Sequence, residues 1–200
     1  MRIGVIADTH IPDRTDEIPA EVYDLFRGAD LILHAGDVCQ AWVLESLRAV
    51  APVFAVRGNR DSRDLWQLLP NKIVVNAGHW RIGLVHGMRS RFQETADRLR
   101  YLQGDRRFLD QRLHVQSAFA GDGVRCIVFG HTHQVCHEVV DGVLLFNPGG
   151  VVPVPGGGPS SVGILEVTER GITGQVIVLR QPPRLLSLAE QTRRNLHRRW

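Results

Sequence analysis

Short apolar runs alternate with longer mixed segments along most of the chain. Residues 2–7, 31–33, 53–56, 82–85 and 126–129 read as strands, several apolar enough to be covered on both faces. Two helical patterns lie between the first three. Residues 17–26 place Ile18, Val22, Leu25 and Phe26 at a period of about 3.6 residues, and residues 42–50 gather Trp42, Val43, Leu44 and Leu47 on a broad apolar face. The alternation predicts an α/β domain whose crossover helices cover a sheet.

The second half is less regular. Residues 64–69 fit a short helix ended by Pro70. Residues 90–113 are arginine-rich with a helical period, which makes Phe92, Leu99, Leu102, Leu109 and Leu113 its expected core positions. Residues 138–140 and 143–146 flank an Asp141-Gly142 turn, and 163–167 and 172–179 flank Glu169-Arg170-Gly171. Two hairpins argue against an all-parallel sheet and for mixed ones. Residues 153–159, with three successive glycines, fit no regular element. One domain is expected over 1–179, followed by a basic tail over 180–200 that either forms an amphipathic helix through Leu185, Leu188 and Leu196 or stays mobile.

Composition narrows the class. A 44% hydrophobic share over 200 residues is that of a globular domain able to bury a core without disulfides. No apolar run approaches the roughly 18 residues of a membrane span. The opening Met1–Asp8 meets charge too early for a signal peptide, so an uncleaved cytoplasmic chain is expected. Cys39, Cys126 and Cys136 are odd in number and form no CxxC pair, which speaks against a disulfide framework or a thiolate zinc site. From Arg180 onward six arginines face Glu190, a net +5 that exceeds the chain's +3 and leaves −2 on the first 179 residues. The positive excess belongs to the tail, and the chain is not expected to bind nucleic acid.

The informative polar residues follow the apolar runs. Asp8 and His10 follow the first, Asp37 the second, Asn59 with Arg60 and Asp61 the third, His86 the fourth, and His131 and His133 the fifth. Active sites of α/β sheets gather at the carboxyl ends of strands. Seven oxygen or nitrogen donors at five strand ends exceed what one cation needs and suit two. A shared carboxylate offsets the repulsion of cations roughly 3.5–4 Å apart. Asp37 is the expected bridge, because a crossover fold puts the second strand between the first and third. Asp8 and His10, two residues apart in extended chain, would point the same way toward one ion. Adjacent Gly36, Gly58, Gly87 and Gly130 suit tight turns. Mixed carboxylate, imidazole and amide donors fit Mn, Fe, Co, Ni or Zn better than calcium.

Each residue also has a plainer reading. Asp37 could cap the helix of residues 40–50, Asn59 or Asp61 could shape a turn, His86 could be a satisfied core histidine, and 131–133 a polar turn. Their joint order along successive strand ends favours the site.

The series Asp8-x-His10, Gly36-Asp37, Gly58-Asn59-x-Asp61, His86-Gly87 and Gly130-His131-Thr132-His133 resembles the calcineurin-like metallophosphoesterase superfamily from Met1 to about Leu179. The short length, Asn59-x-Asp61 and the closing Asn147-Pro148-Gly149 resemble its small YfcE-type phosphodiesterases. The resemblance implies a four-layer α/β sandwich of two mixed β-sheets flanked by helices. It implies one metal held by Asp8, His10, Asp37 and His133, and a second held by Asp37, Asn59, His86 and His131. Two divalent ions, manganese first, would activate a water to attack a small phosphoester with no protein nucleophile. Asp37, Asn59, Arg60 and His86 are then the catalytic candidates. Arg60 stands where many relatives carry histidine, and it can clamp phosphate but cannot act as a general acid. Met88 replaces a frequent second histidine, and no arginine follows Asn147-Pro148-Gly149 closely. A phosphodiesterase is therefore expected first and a phosphomonoesterase second. A non-catalytic scaffold, as a retromer subunit of the superfamily is, ranks third. Exposed sheet edges and the Trp200 tail are compatible with a homo-oligomer.

Overall fold

The patterns of the first half become β1 (Arg2–Ile6), α1 (Ala20–Phe26), β2 (Leu31–His34), α2 (Ala41–Arg48) and β3 (Val53–Ala55) in the computed structural model, which describes residues 1–89 and 109–197. After them come α3 (Arg63–Leu68), β4 (Lys72–Ala77), β5 (Trp80–Val85), α4 (Leu109–Ala118), β6 (Cys126–Val128), β7 (Val135–Val140), β8 (Val143–Pro148), β9 (Ser161–Thr168), β10 (Gly171–Val178) and α5 (Leu188–His197). One sheet has the order β10-β9-β1-β2-β3 and the other β4-β5-β6-β8-β7. Each is mixed: β1, β2 and β3 run parallel, as do β5, β6 and β8, with antiparallel strands beside them. The second strand does lie between the first and third.

Strand alternation divides the core into layers. Ile3 and Val5 of β1, Leu33 of β2, Leu84 of β5, Val128 of β6 and Leu165 of β9 meet between the sheets. The opposite face of the first sheet packs Ile6 and Ile32 under Val22, Phe26, Val43 and Leu47 of α1 and α2. The outer face of the second sheet packs Ile127 and Leu145 under Val115 and Phe119. This is the expected sandwich of two mixed sheets with helices outside. No helix among the described residues is long and apolar enough to cross a membrane.

Phe146 ties the two sheets together. Its fully buried ring faces Gly163 and Gly174 of the other sheet, where an added Cβ would come within 2.5 Å of it. Phe146→Ala is expected to destabilise the fold by about 3–5 kcal/mol through lost burial and a residual cavity. A lowered urea midpoint would register this.

Several local expectations are corrected. Residues 72–77, which the apolar pattern leaves unassigned, form β4, paired antiparallel with β5 across Gly78-His79. Helix α1 begins after Pro19 rather than at residue 17. Trp42 is 48% exposed, because the buried stripe of α2 is Val43, Leu44 and Leu47. Leu113 is 56% exposed, whereas Gln111, Val115 and Phe119, four residues apart, face the sheet. Residues 90–108 of the predicted arginine-rich helix, with Phe92, Leu99 and Leu102, and the Leu109 side chain lie outside the described residues. The tail forms α5, opened by a reciprocal cap in which Ser187 N–H donates to Glu190 and Glu190 N–H donates to Ser187 Oγ.

Candidate metal centre

Five of the sequence-predicted residues adopt backbone that side chains rarely tolerate. The φ angles are 54° at Asp8, 48° at His10, 55° at Asp37, 71° at His131 and 53° at His133. Left-handed non-glycine residues are costly and cluster where function over-determines the conformation. This corrects the expected extended geometry of Asp8-x-His10: both residues turn. Their loop is held to the next by Asp8 N–H on Gly36 O at 3.1 Å and His10 N–H on Asp37 O at 3.0 Å. Thr9 sits between them, its hydroxyl 3.3 Å from both His34 Nε2 and Asp37 O.

The strand ends converge on two neighbouring groups of donors. In the first, His10 Nε2 lies 3.1 Å from His133 Nε2, 3.6 Å from Asp37 Oδ2 and 3.9 Å from Asp8 Oδ1, and His133 Nε2 lies 3.5 Å from Asp8 Oδ1. In the second, His86 Nε2 lies 3.5 Å from Asp37 Oδ1, 3.2 Å from Asn59 Oδ1 and 3.3 Å from His131 Nδ1. Bonds of about 2.0–2.2 Å around one tetrahedral ion set its ligands roughly 3.3–3.6 Å apart, close to most of these distances. The two Asp37 oxygens face different groups. Asp8 also lies near both, since Asp8, Asp37 and His86 form a compact donor cluster alongside Asp8, His10 and His133.

The surroundings aim these donors inward. His86 Nδ1 is 2.7 Å from Ala35 O and His133 Nδ1 is 2.8 Å from Val152 O, so each carbonyl takes the Nδ1 proton and leaves Nε2 facing the cluster. Asp37 Oδ1 accepts from Arg60 N–H at 2.7 Å, and Asp8 Oδ2 accepts from His131 N–H at 3.0 Å. Asp8 Oδ1 is buried with no hydrogen-bond partner. A carboxylate oxygen so placed is costly unless a cation meets it. The donor set and this orphaned oxygen fit divalent metal.

The plainer readings fare unevenly. Asp37 does not cap α2, whose N-cap is Gln40. Asp61 does shape its loop, accepting from Cys39 N–H and Gly58 N–H at 2.7 Å. A Cβ on Gly58 would fall 2.2 Å from Asp37 Oδ1, so only glycine lets this loop close over the carboxylate. His34 is fully buried behind the cluster, and Arg60 and Asn59 are exposed at its mouth. The glycine-rich loop over 153–159 forms a wall, with Gly158 N–H donating to His133 O at 2.7 Å. Sequence reasoning misses the carbonyls of Ala35 and Val152, which carry no side-chain signal. It also misses the task of Asn147, which donates to Gly130 O at 2.9 Å and accepts from Gly149 N–H at 2.9 Å, bracing the His131–His133 turn.

Burial and charge separate the histidines. Burial, with neighbouring positive groups, lowers His10 and His34 to about 3 and His131 to about 4. His86 is raised to about 9: burial opposes its charge, but Asp37, its hydrogen bond to Asp37, and Asp8 outweigh that. Asp8 is raised to about 6 by burial, partly offset by His133 and His86. Burial also works against ionised Asp37, yet His86, His10 and the Arg60 N–H hold it below the usual carboxylate range. In the metal-free protein at pH 7, His86 is therefore protonated while His10 and His131 are neutral. A metal must displace the His86 proton. Binding is expected to release about one proton at pH 7 and to tighten as pH rises toward 9, where His86 loses its proton unaided. Calorimetry in buffers of different ionisation enthalpy would read this, and binding without proton release would contradict it.

The chain is similar to several known proteins. A model of the calcineurin-like phosphoesterase superfamily domain matches residues 1–170. A probable metallophosphoesterase of Methanothermobacter thermautotrophicus is 37% identical over 177 residues, 88% of this chain and 92% of that protein. Vacuolar protein sorting 29 of Cryptosporidium parvum superposes with a TM-score of 0.69 at 23% identity, over 92% of this chain and 95% of its own. A novel archaeal phosphodiesterase superposes with a TM-score of 0.60 at 22% identity, over 88% and 100%. The two solved structures speak to the fold alone.

Proposed function

This chain belongs to the calcineurin-like phosphoesterase superfamily, and from that premise we propose that it is a phosphodiesterase working with two divalent cations, manganese first, bridged by Asp37. Asp8, His10, Asp37 and His133 would hold one ion, and Asp37, Asn59, His86 and His131 would hold the other. The observation that carries this reading is the division of the Asp37 carboxylate, one oxygen 3.6 Å from His10 and the other 3.5 Å from His86.

When bound, such cations neutralise the phosphoryl oxygens and activate water as the nucleophile. The chain's own residues supply position. The Ala35 and Val152 carbonyls fix the faces of His86 and His133. The Arg60 N–H steadies Asp37, while the exposed Arg60 guanidinium is free to clamp a phosphoryl oxygen. Arg60 cannot protonate a leaving group, which favours a diester with a stable leaving group over a monoester of a basic alcohol.

Turnover of bis-nitrophenyl phosphate and nitrophenyl phosphate by protein reconstituted with Mn2+, Zn2+, Co2+ or Ni2+ tests it. Faster diester hydrolysis that requires metal is expected. A monoester preference would replace the reading with a phosphomonoesterase, and metal-independent turnover would overturn it.

A further inference from the structure

Helix α4 packs against the loop that carries His86. Gln111 is buried, and its Nε2 donates to Gly87 O at 2.6 Å. One helical turn on, His114 Nε2 lies 3.2 Å from Met88 O. Between this helix and the start of β7 lies a cleft of about 90 Å³, open on one side and lined by Gln111, Arg112, Phe129, Thr132, Val135 and Cys136. Its wall begins one residue from the donors His131 and His133, which flank Thr132, and Gln111 bonds the neighbour of His86.

The cleft is built for an uncharged group. Its one charged lining residue, Arg112, pairs with Glu138 at 2.7 Å. Burial, with Glu138 nearby, pushes the Cys136 thiol up to about 11, so it stays neutral at pH 7. The polar side chains are engaged by the protein itself. Gln111 Nε2 is held by Gly87 O, and Gln134, which also lines the cleft, donates its Nε2 to Gly156 O at 2.5 Å. Thr132 Oγ accepts from Asn147 Nδ2 at 3.2 Å and from Gln134 N–H at 3.3 Å. Apolar contact is what the cleft has left to offer, through the Phe129 ring and through Val135, which is 46% exposed despite being apolar.

We propose that this cleft binds one ester group of the substrate while the phosphoryl group sits at the metal centre, so that the protein takes phosphodiesters bearing a small aromatic or apolar group. This rests on the metallophosphoesterase reading of the cluster. Consecutive Cα atoms are about 3.8 Å apart, a step that a group one or two bonds beyond phosphorus spans. A dry cavity of about 150 Å³ encloses a whole benzene ring. An open cleft of about 90 Å³ therefore takes part of a ring and leaves the rest at its mouth. The diester is divided by its chemistry: charged oxygens go to the metals and Arg60, and carbon goes to the cleft.

The test uses the full chain loaded with Mn2+, with diphenyl phosphate and dimethyl phosphate as probes in calorimetry. The two carry the same single charge and differ only in their ester groups. Diphenyl phosphate is expected to bind about tenfold to a hundredfold more tightly, the scale of burying a few apolar carbons. Val135→Trp fills the cleft from an exposed position and should bring that ratio close to one. Val135→Thr keeps the volume but adds a hydroxyl, and should lower the ratio in part. Equal affinity for the two diesters, binding of neither, or a ratio that both variants leave unchanged would overturn the proposal. Turnover of bis-nitrophenyl phosphate, measured on the same samples, separates the two readings. A ratio that depends on Val135 in a protein that hydrolyses no ester would leave the cleft standing and refute the enzymatic reading. Metal-dependent turnover with a ratio indifferent to Val135 would do the reverse.

Discussion

Asp37→Ala is expected to lower metal-dependent diester turnover on the order of a thousandfold or more, the scale of losing a preorganised electrostatic element at a reacting centre. Asp37 is the one side chain whose two oxygens face both donor groups, 3.6 Å from His10 and 3.5 Å from His86. On the proposed two-ion reading, its removal would take a ligand from each ion and the negative charge between them. It also frees the Arg60 N–H that Asp37 Oδ1 now receives at 2.7 Å. Metal content and kcat/KM measured together decide the matter. The variant should bind fewer equivalents of metal while its thermal transition still reports a folded domain. Asp37→Asn is the sharper comparison, because it keeps the volume but loses the charge and one acceptor oxygen. Full turnover by Asp37→Ala would end the bridged two-metal account.

Removing the metals should have the second largest effect. A chelator-treated protein is expected to lose its turnover and recover it on addition of Mn2+. It should also lose stability, because ions that bind the folded state alone stabilise it by about 2.7 kcal/mol at a hundredfold excess over Kd. For a chain of this length that corresponds to a fall in Tm of several degrees, roughly 5–10 °C. The physical origin is visible in the cluster. Asp8 and Asp37 are both buried, and Asp8 Oδ1 has no hydrogen-bond partner. Without cations, protonated His86 is the chief positive group between them, and an imidazolium offsets only part of that charge. A metal-free protein with an unchanged Tm would show that these donors do not hold metal in solution.

The chain makes both the class of the fold and the membership of the site legible, for a common reason. Buried parallel strands must be apolar on both faces, so β1, β2, β5 and β6 stand out as short runs, and the residues just beyond them are confined to one end of the sheets. Polar residues recurring there, from Asp8 to His133, are local features readable one strand at a time. Helices at the surface carry their face less plainly. Leu113 and Trp42 are apolar yet exposed, because one residue's hydrophobicity does not say which side of a helix the sheet covers. Strand β4 is an edge strand that none of the candidate ligands follows, although its β-branched Ile73-Val74-Val75 run and the Gly78-His79 turn were available signals.

What the sequence determined alone is therefore the kind of donor and its order: carboxylate, imidazole and amide at successive strand ends. Tertiary structure decided how those donors meet. The left-handed turns at Asp8, His10 and Asp37 aim side chains that extended chain would send elsewhere. The carbonyls of Ala35 and Val152 choose which imidazole nitrogen faces the cluster, and a backbone carbonyl is the same in every residue. The contact between Arg194 and Asp16 joins residues 178 positions apart. No local pattern encodes a pairing at that separation, because it exists only once both sheets have closed and the C-terminal segment has returned to the loop after β1.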